Sequence, residues 1–191
     1  EQVRSRITDI KSTISGTPDY SDAMKTGNTE GFSDKQLEIL EAVKSIINQN
    51  TSDSYTDYQN EVNIHDYLVK TVVYDEENLE KDTIPEDSFT AYGALINHVA
   101  VCGGYSEAFQ ILMDVLGIEC KTIIGTGGEN NISHAWNLVN LDDNWYHVDT
   151  TFDDPIPDTG DVLHTYLNVT DEVVAADHTW DKTAYPQAVS T

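Results

Sequence analysis

The sequence predicts an α+β domain with its helices first and its strands last. In the first half, apolar residues recur at helical spacing, as in Leu37, Leu40, Val43 and Ile47. After Gly117 the pattern changes to short β-branched and aromatic runs separated by Gly, Asn and Asp. A long amphipathic helix followed directly by several short strands with tight turns is the order of an α+β chain. The chain has 191 residues, 39% of them hydrophobic, which is enough for one sizeable core. The patterning divides it into a helical extension over 1–55 and a core over 56–191.

Val3, Ile7, Ile10 and Ile14 fall on one face of a helix that Gly16 ends. Thr17 to Phe32 is polar and punctuated by Gly, and reads as a loop. Ser33-Asp34-Lys35-Gln36 is a capping-box pattern opening the Leu37–Ile47 helix, with Asn50 near its end. A third helix is predicted from about Thr56 to Val73. Ala91 to Val101 has no clear period. From Cys102 to Leu116, the residues Tyr105, Phe109, Leu112, Met113 and Leu116 give a core-facing helix stopped by Gly117. Ile118–Gly125 reads as a buried strand and Thr126–Asn131 as a loop. His134–Asn140 and Trp145–Thr151 form a hairpin through Leu141-Asp142-Asp143-Asn144. Asp153–Asp161 reads as loop, and Thr165–Val169 as a further strand.

Ten Lys and Arg against 34 Asp and Glu leave a net charge of −24. Such a chain repels phosphate backbones and anionic lipid, so neither nucleic acid nor a membrane surface is an expected partner. The two Arg, Arg4 and Arg6, lie near the start, so an anion site in the body would depend on Lys or backbone amides. No apolar run approaches a membrane span. The start Glu1-Gln2-Val3-Arg4 has no signal-peptide apolar region. Two Cys make no disulfide framework, and no Cys/His spacing suggests zinc. Asp153, Asp154, Asp158 and Asp161 lack the calcium-loop pattern and read as a solvated acidic loop. Neither a metal nor a cofactor is expected.

Cys102 opens a predicted helix, where unpaired amides and the helix dipole favour a thiolate. Gly103 and Gly104 would let a strand or substrate approach its sulfur. On the hairpin, His134 and Asp149 share one face in either register considered. If Asn140 faces Trp145, Asp149 lies opposite Trp136 and diagonal to His134; a tighter turn at Leu141-Asp142 would put the two directly opposite. A carboxylate orients an imidazole, and an imidazole beside a thiol takes its proton. The same residues also fit a buried thiol and a polar hairpin face. Spacing alone does not separate these readings.

Val101-Cys102-Gly103-Gly104-Tyr105, Leu116-Gly117-Ile118-Glu119-Cys120, His134-Ala135-Trp136-Asn137 and Trp145-Tyr146-His147-Val148-Asp149-Thr150-Thr151 resemble, in order and spacing, the bacterial transglutaminase-like superfamily. His65-Asp66-Tyr67-Leu68, Tyr74-Asp75 and Asp177-His178-Thr179-Trp180 are similar to further family patterns, so the resemblance covers roughly Thr56 to Pro186. It implies a papain-like α+β fold with Cys102 as nucleophile, His134 as base and acid, and Asp149 as the residue orienting the imidazole. Three departures stand out: all three Trp lie after Cys102, no Gln lies between Gln59 and Cys102, and the chain is too short for the multidomain calcium-regulated enzymes. The second oxyanion donor is therefore unassigned. Tyr92 is the candidate beside the Cys102 amide, and Gly103, Trp136 and His147 are further cleft candidates. His98 lies four residues before Cys102 and fits a base less well than His134. His178 and Asp66 read as structural, and Cys120 as an inert buried thiol.

The expected function is thiol-dependent acyl transfer on an amide or peptide carbonyl through a thioester, with a protein or peptide substrate. Hydrolysis, as in a cysteine protease or amidase, is favoured over transamidation to an amine. A binding domain that keeps the fold without catalysis is the other class. A bacterial surface or secreted location is the corresponding expectation.

Overall fold

The computed structural model describes residues 18–190. The helix expected over Val3–Ile14 lies outside them. Among the described residues three helices come first: α1 (Tyr20–Thr26), α2 (Asp34–Asn50) and α3 (Asp57–Thr71). A short strand β1 (Val73–Tyr74), a helix α4 (Glu76–Glu80), a 3-10 turn (86–89) and a wide helical turn (93–97) lead to β2 (Val99–Ala100). The central helix α5 (Cys102–Leu116) follows. Then come β3 (Cys120–Gly127), β4 (Ile132–Leu141), β5 (Asn144–Val148), α6 (Asp171–Val174) and β6 (His178–Trp180).

Local chemistry sets these limits. Ser33 and Thr56 each close a capping box, with Gln36 and Gln59 reaching back to the cap amide. Gly117 ends α5 in the left-handed region at φ 79°. Helix α1 falls where the sequence reads as loop. Asp19 caps it through a 2.8 Å bond from the Asp22 amide, Gly27 ends it at φ 77°, and Tyr20 and Ala23 bury one face. Two buried residues in a polar stretch carry too little periodicity to be seen beforehand.

The main sheet is antiparallel in the order β5-β4-β3-β6. The hairpin pairs Asn140 with Trp145 and Leu141 with Asn144. This is the wider of the two registers considered, closed by Asp142-Asp143, both at positive φ as such a turn requires. The strand expected over Thr165–Val169 is absent. Val169 makes only a bridge to His147, and the sheet edge is taken by β6 instead. A separate parallel pair, β1 with β2, ties the end of α3 to the residues just before Cys102.

Alternation divides β4 between two cores. Val139 and Leu141 face the helices, in a cluster with Leu40, Val43, Ile64, Leu68, Phe109 and Leu112. Trp136 and Leu138 face the other way, with Ile123, Val174 and Trp180. Helices α2, α3 and α5 thus share one core with the sheet. The strand β6 fits only because β3 carries glycine. A Cβ at Gly125 would stand 2.2 Å from the Thr179 carbonyl oxygen and 2.8 Å from the Trp136 ring.

That contact yields a stability prediction. Gly125→Ala should force β6 away from β3 and cost about 1–3 kcal/mol or more, the range of overpacking changes. Urea unfolding measures it. A change below about 0.5 kcal/mol, the level of an ordinary surface substitution, would mean that β6 is not held as tightly as the geometry indicates.

Candidate active site

Cys102 is the first residue of α5, and the cap position before it, Val101, offers no side-chain cap. The first amides of the helix are thus left to interact with charge at the sulfur. The segment is fixed from three sides. The Val101 amide donates to Ser88 O at 2.8 Å, the Ser88 hydroxyl donates to Asp75 Oδ2 at 2.8 Å, and the Asp75 amide donates to Ala100 O at 2.9 Å. Gly104 permits this. A Cβ there would stand 2.8 Å from the Ser88 and Thr90 carbonyl oxygens. Its role is the seating of α5, and not the access to sulfur expected from the sequence.

Cys102 packs beside Ala135 of β4, which brings it to the neighbouring His134. His134 Nε2 lies 2.6 Å from Asp149 Oδ2, which leaves Nδ1 clear of that carboxylate, and the imidazole lines one cavity with Cys102. Asp149 Oδ1 accepts the Thr151 and Phe152 amides, each at 3.1 Å. All three residues are buried, at 5% exposure for Cys102, 5% for His134 and 2% for Asp149. Burial opposes charge on the imidazole. The Asp149 carboxylate, by charge and hydrogen bond, and Cys102 then outweigh it and raise the His134 pKa to about 10. Burial likewise works against the Asp149 carboxylate, but His134 and then His178 hold it well below the usual carboxylate range.

A cavity of about 160 Å³ opens on this group. Cys102, His134, Phe152, Gly127, Tyr74 and Phe89 are among its lining residues, and Leu79, Ile84 and Ile132 add apolar surface. Of the four cleft candidates read from the sequence, none lines it. Tyr92 turns its hydroxyl to Glu38 of α2 at 2.7 Å, under Lys35. Gly103 is buried in α5, where its carbonyl accepts the Ser106 hydroxyl. Trp136 lies behind His134, its ring near parallel at 5.7 Å, and donates Nε1–H to His147 Nδ1 at 3.0 Å. His147 is taken up by that bond and by Asp171 at 2.9 Å. His98 is the left-handed end of the 93–97 turn, where its carbonyl accepts the Val73 amide.

Two residues were missed. Tyr74 lies in the cavity wall, where burial above all pushes its phenol up and keeps it protonated. The β-branched and aromatic run Val72-Val73-Tyr74 signals a strand there, which the third helix pattern hid. His178, read as structural, reaches Asp149 Oδ2 at 3.0 Å. Asp153 and Asp154 are not solvated. Asp153 holds buried His65 at 3.1 Å, and Asp154 accepts the Tyr105 hydroxyl. Cys120 is buried in β3, and burial pushes its thiol up well above the ordinary value. Two groups, His65-Asp66-His164 and His134-Asp149-His178, have metal-capable atoms within 4.8 Å of one another. In both, the close atoms already face one another as His–Asp hydrogen bonds.

The ion pair predicts a pH dependence. His134 keeps its proton to about pH 10 when folded, against 6.5 for a free imidazole. Its contribution is complete below about 6.5 and is lost as pH rises toward 10. The lowered Asp149 contributes stability above its ordinary pKa of 3.8 that is lost as pH falls further. Asp149→Asn should therefore remove part of the stability decline between pH 6.5 and 10. Urea titrations across that range test this, and wild-type and variant curves that run parallel would refute it.

Residues 44–150, more than half of the chain, match the family model of the Transglutaminase-like superfamily. The kyphoscoliosis peptidase of Mus musculus is 25% identical over 143 residues, 69% of this chain and 21% of that protein. The kyphoscoliosis peptidase of Homo sapiens is 32% identical over 76 residues, 35% of this chain and 12% of that protein. The chain thus spans about a fifth or less of the curated relatives it matches. Among solved structures, one described as a TGase superposes with a TM-score of 0.51 at 18% identity, covering 70% of this chain and 37% of that one. Its likeness concerns the fold alone. On the family match, the chain belongs to the transglutaminase-like superfamily.

Proposed function

We propose that this domain carries out thiol-dependent acyl transfer on an amide or peptide carbonyl, with water as the usual acceptor, as in a cysteine peptidase or amidase. The observation that supports it is one buried imidazole, His134, held by the Asp149 carboxylate at 2.6 Å and lining one cavity with the helix-terminal Cys102. A thiol at a helix start, paired with a charged imidazole, is the arrangement that yields a thiolate at neutral pH. The cavity beside it, about 160 Å³, has an apolar wall, which suits a peptide segment.

In this reading the Cys102 thiolate attacks the carbonyl carbon. A C–S bond forms and the carbonyl electron pair moves to oxygen. The Cys102 amide and the Tyr74 hydroxyl donate to that oxyanion; Tyr74 replaces Tyr92, whose hydroxyl is committed to Glu38. The C–N bond then breaks, and His134 gives its proton to the departing amine. A thioester remains. Water attacks it, His134 takes the proton, and the acid leaves as the thiolate re-forms. Asp149 keeps the imidazole turned toward the sulfur throughout. An amine in place of water would give transamidation by the same steps.

A peptide library incubated with and without a primary amine, read by mass spectrometry, tests the reaction. Cleaved peptides in both arms support hydrolysis, and amine adducts would move the assignment to transamidation. Alkylation by iodoacetamide gives the accompanying check: Cys102 should react far faster than Cys120. Equal, slow reaction of both thiols with no product in either arm would leave a binding domain. Tyr74→Phe is expected to lower kcat on the order of 10²-fold with little change in KM, the scale of losing one oxyanion donor. An unchanged kcat would reduce Tyr74 to a wall of the cavity.

A further inference from the structure

Asp149 serves two imidazoles. Its Oδ2 receives His134 Nε2 at 2.6 Å and His178 Nε2 at 3.0 Å. Its Oδ1 is taken by the Thr151 and Phe152 amides. These four donors occupy the lone-pair directions of the carboxylate. His178 is itself gripped. Its Nδ1 faces Asp177 Oδ1 at 2.6 Å, and the other Asp177 oxygen accepts the Tyr166 hydroxyl. The ring is fully buried, with Phe152 at 4.7 Å and Trp136 at 4.9 Å. The backbone aims it: β6 pairs His178 with Gly127 of β3. A Cβ at Gly127 would lie 3.0 Å from the His134 ring, so glycine there lets the two imidazoles come within 5.4 Å, centre to centre.

Two donors on one carboxylate oxygen share its basicity. Each weakens the hold of that oxygen on the other's proton. A histidine clamped by Asp149 alone would bind its proton more tightly and give it less readily to a departing amine. His178 also stops the carboxylate pivoting about its two amide contacts. We propose that His178 is a positioning residue for the Cys102–His134–Asp149 group, acting through Asp149 to set the direction and the strength of the His134 hydrogen bond. This deepens the acyl-transfer reading and rests on it for its kinetic meaning. The other titratable groups around the pair are Asp177 and Tyr166 at His178, Tyr74 and Asp153 near Asp149, and His147, with Lys182 beyond it. Of these, Asp177 bonds to His178 directly, and none of the others donates to Asp149 Oδ2.

The test uses His178→Ala, His178→Gln and Asp177→Asn in the full chain. One readout is the titration of His134 by ¹⁵N NMR of the imidazoles. The other is the rate of Cys102 alkylation by iodoacetamide against pH. In His178→Ala, the His134 titration should move to higher pH. The acidic limb of Cys102 alkylation should move to lower pH, because a more tightly held imidazolium favours the thiolate. His178→Gln keeps an amide donor for Asp149 and should restore both toward wild type. Asp177→Asn loosens the anchor of His178 and should shift both in the direction of the Ala variant, by less. It carries the test if His178→Ala does not fold. Lower melting temperatures with both profiles unmoved would overturn the proposal and leave His178 as scaffold. If wild-type Cys102 alkylates no faster than Cys120, the acyl-transfer reading fails, and the His134 titration alone still decides the role of His178.

Discussion

Asp149 is the carboxylate on which the site and the sheet edge both depend. It sits just past the end of β5, where its own backbone begins a turn: the Asp153 amide donates back to its carbonyl, and the Thr151 and Phe152 amides to its side chain. That turn aims Oδ2 at β4 and β6 together. His134 comes from one strand and His178 from the other, with β3 and its two glycines between them. One ionised group therefore joins three segments that are far apart in sequence. A buried carboxylate without such partners would keep its proton instead of its charge, and the geometry of His134 would go with it.

The same device recurs elsewhere in a chain with a net charge of −24. With so few Lys and Arg, buried acids here are met by histidine, amide and hydroxyl groups. His65, fully buried on α3, bridges Asp153 and Asp66, and its pKa rises although burial opposes that. Asp153 in turn accepts the Tyr166 amide, so the acidic loop is tied to α3 and to the segment leading to His178. Where no such partner suffices, burial raises the carboxyl. Burial moves Glu61, hydrogen-bonded to Asn168, up to about 7, and Asp154, beside Tyr105, up to about 6. Partners thus set the direction: imidazoles lower Asp149, while burial raises Glu61 and Asp154.

Much of this fold was legible because its long elements carry their own signals. The apolar stripe of α5, its start at Cys102 and its stop at Gly117 are local properties of the sequence, as are both capping boxes. The hairpin was legible too, and with it the shared face of His134 and Asp149, which holds in either register; the structure decides for Asn140 opposite Trp145. What was hidden depends on contacts distant in sequence. Strand β6 has three residues and owes its place to a gap left by Gly125. Tyr92 is nearer than Tyr74 to Cys102 by number. Only the pairing of β1 with β2 decides that Tyr74 enters the cavity, while Tyr92, on the next turn, meets Glu38. Asp153 looked solvated because nothing local announces His65, 88 positions earlier.

Placing the imidazoles between strands and not on loops has a consequence for how such a site tolerates change. His134, Trp136, His178 and Phe152 form one stack of rings, with centre-to-centre distances from 4.7 to 5.7 Å. The far side of this stack is the second core, around Trp180 and Ile123. A rotation of His134 away from Cys102 would therefore have to displace packed aromatic carbon as well as break a hydrogen bond. Interiors of this density resist gradual deformation, so the imidazole is held by shape on its faces and by Asp149 at its edge. Shape fixes the plane of the ring, and the carboxylate fixes which nitrogen is left for sulfur. Neither constraint does the work of the other. A packing change behind Trp136 would tilt the ring without altering its charge, whereas a change at Asp149 would alter its charge within an unaltered slot.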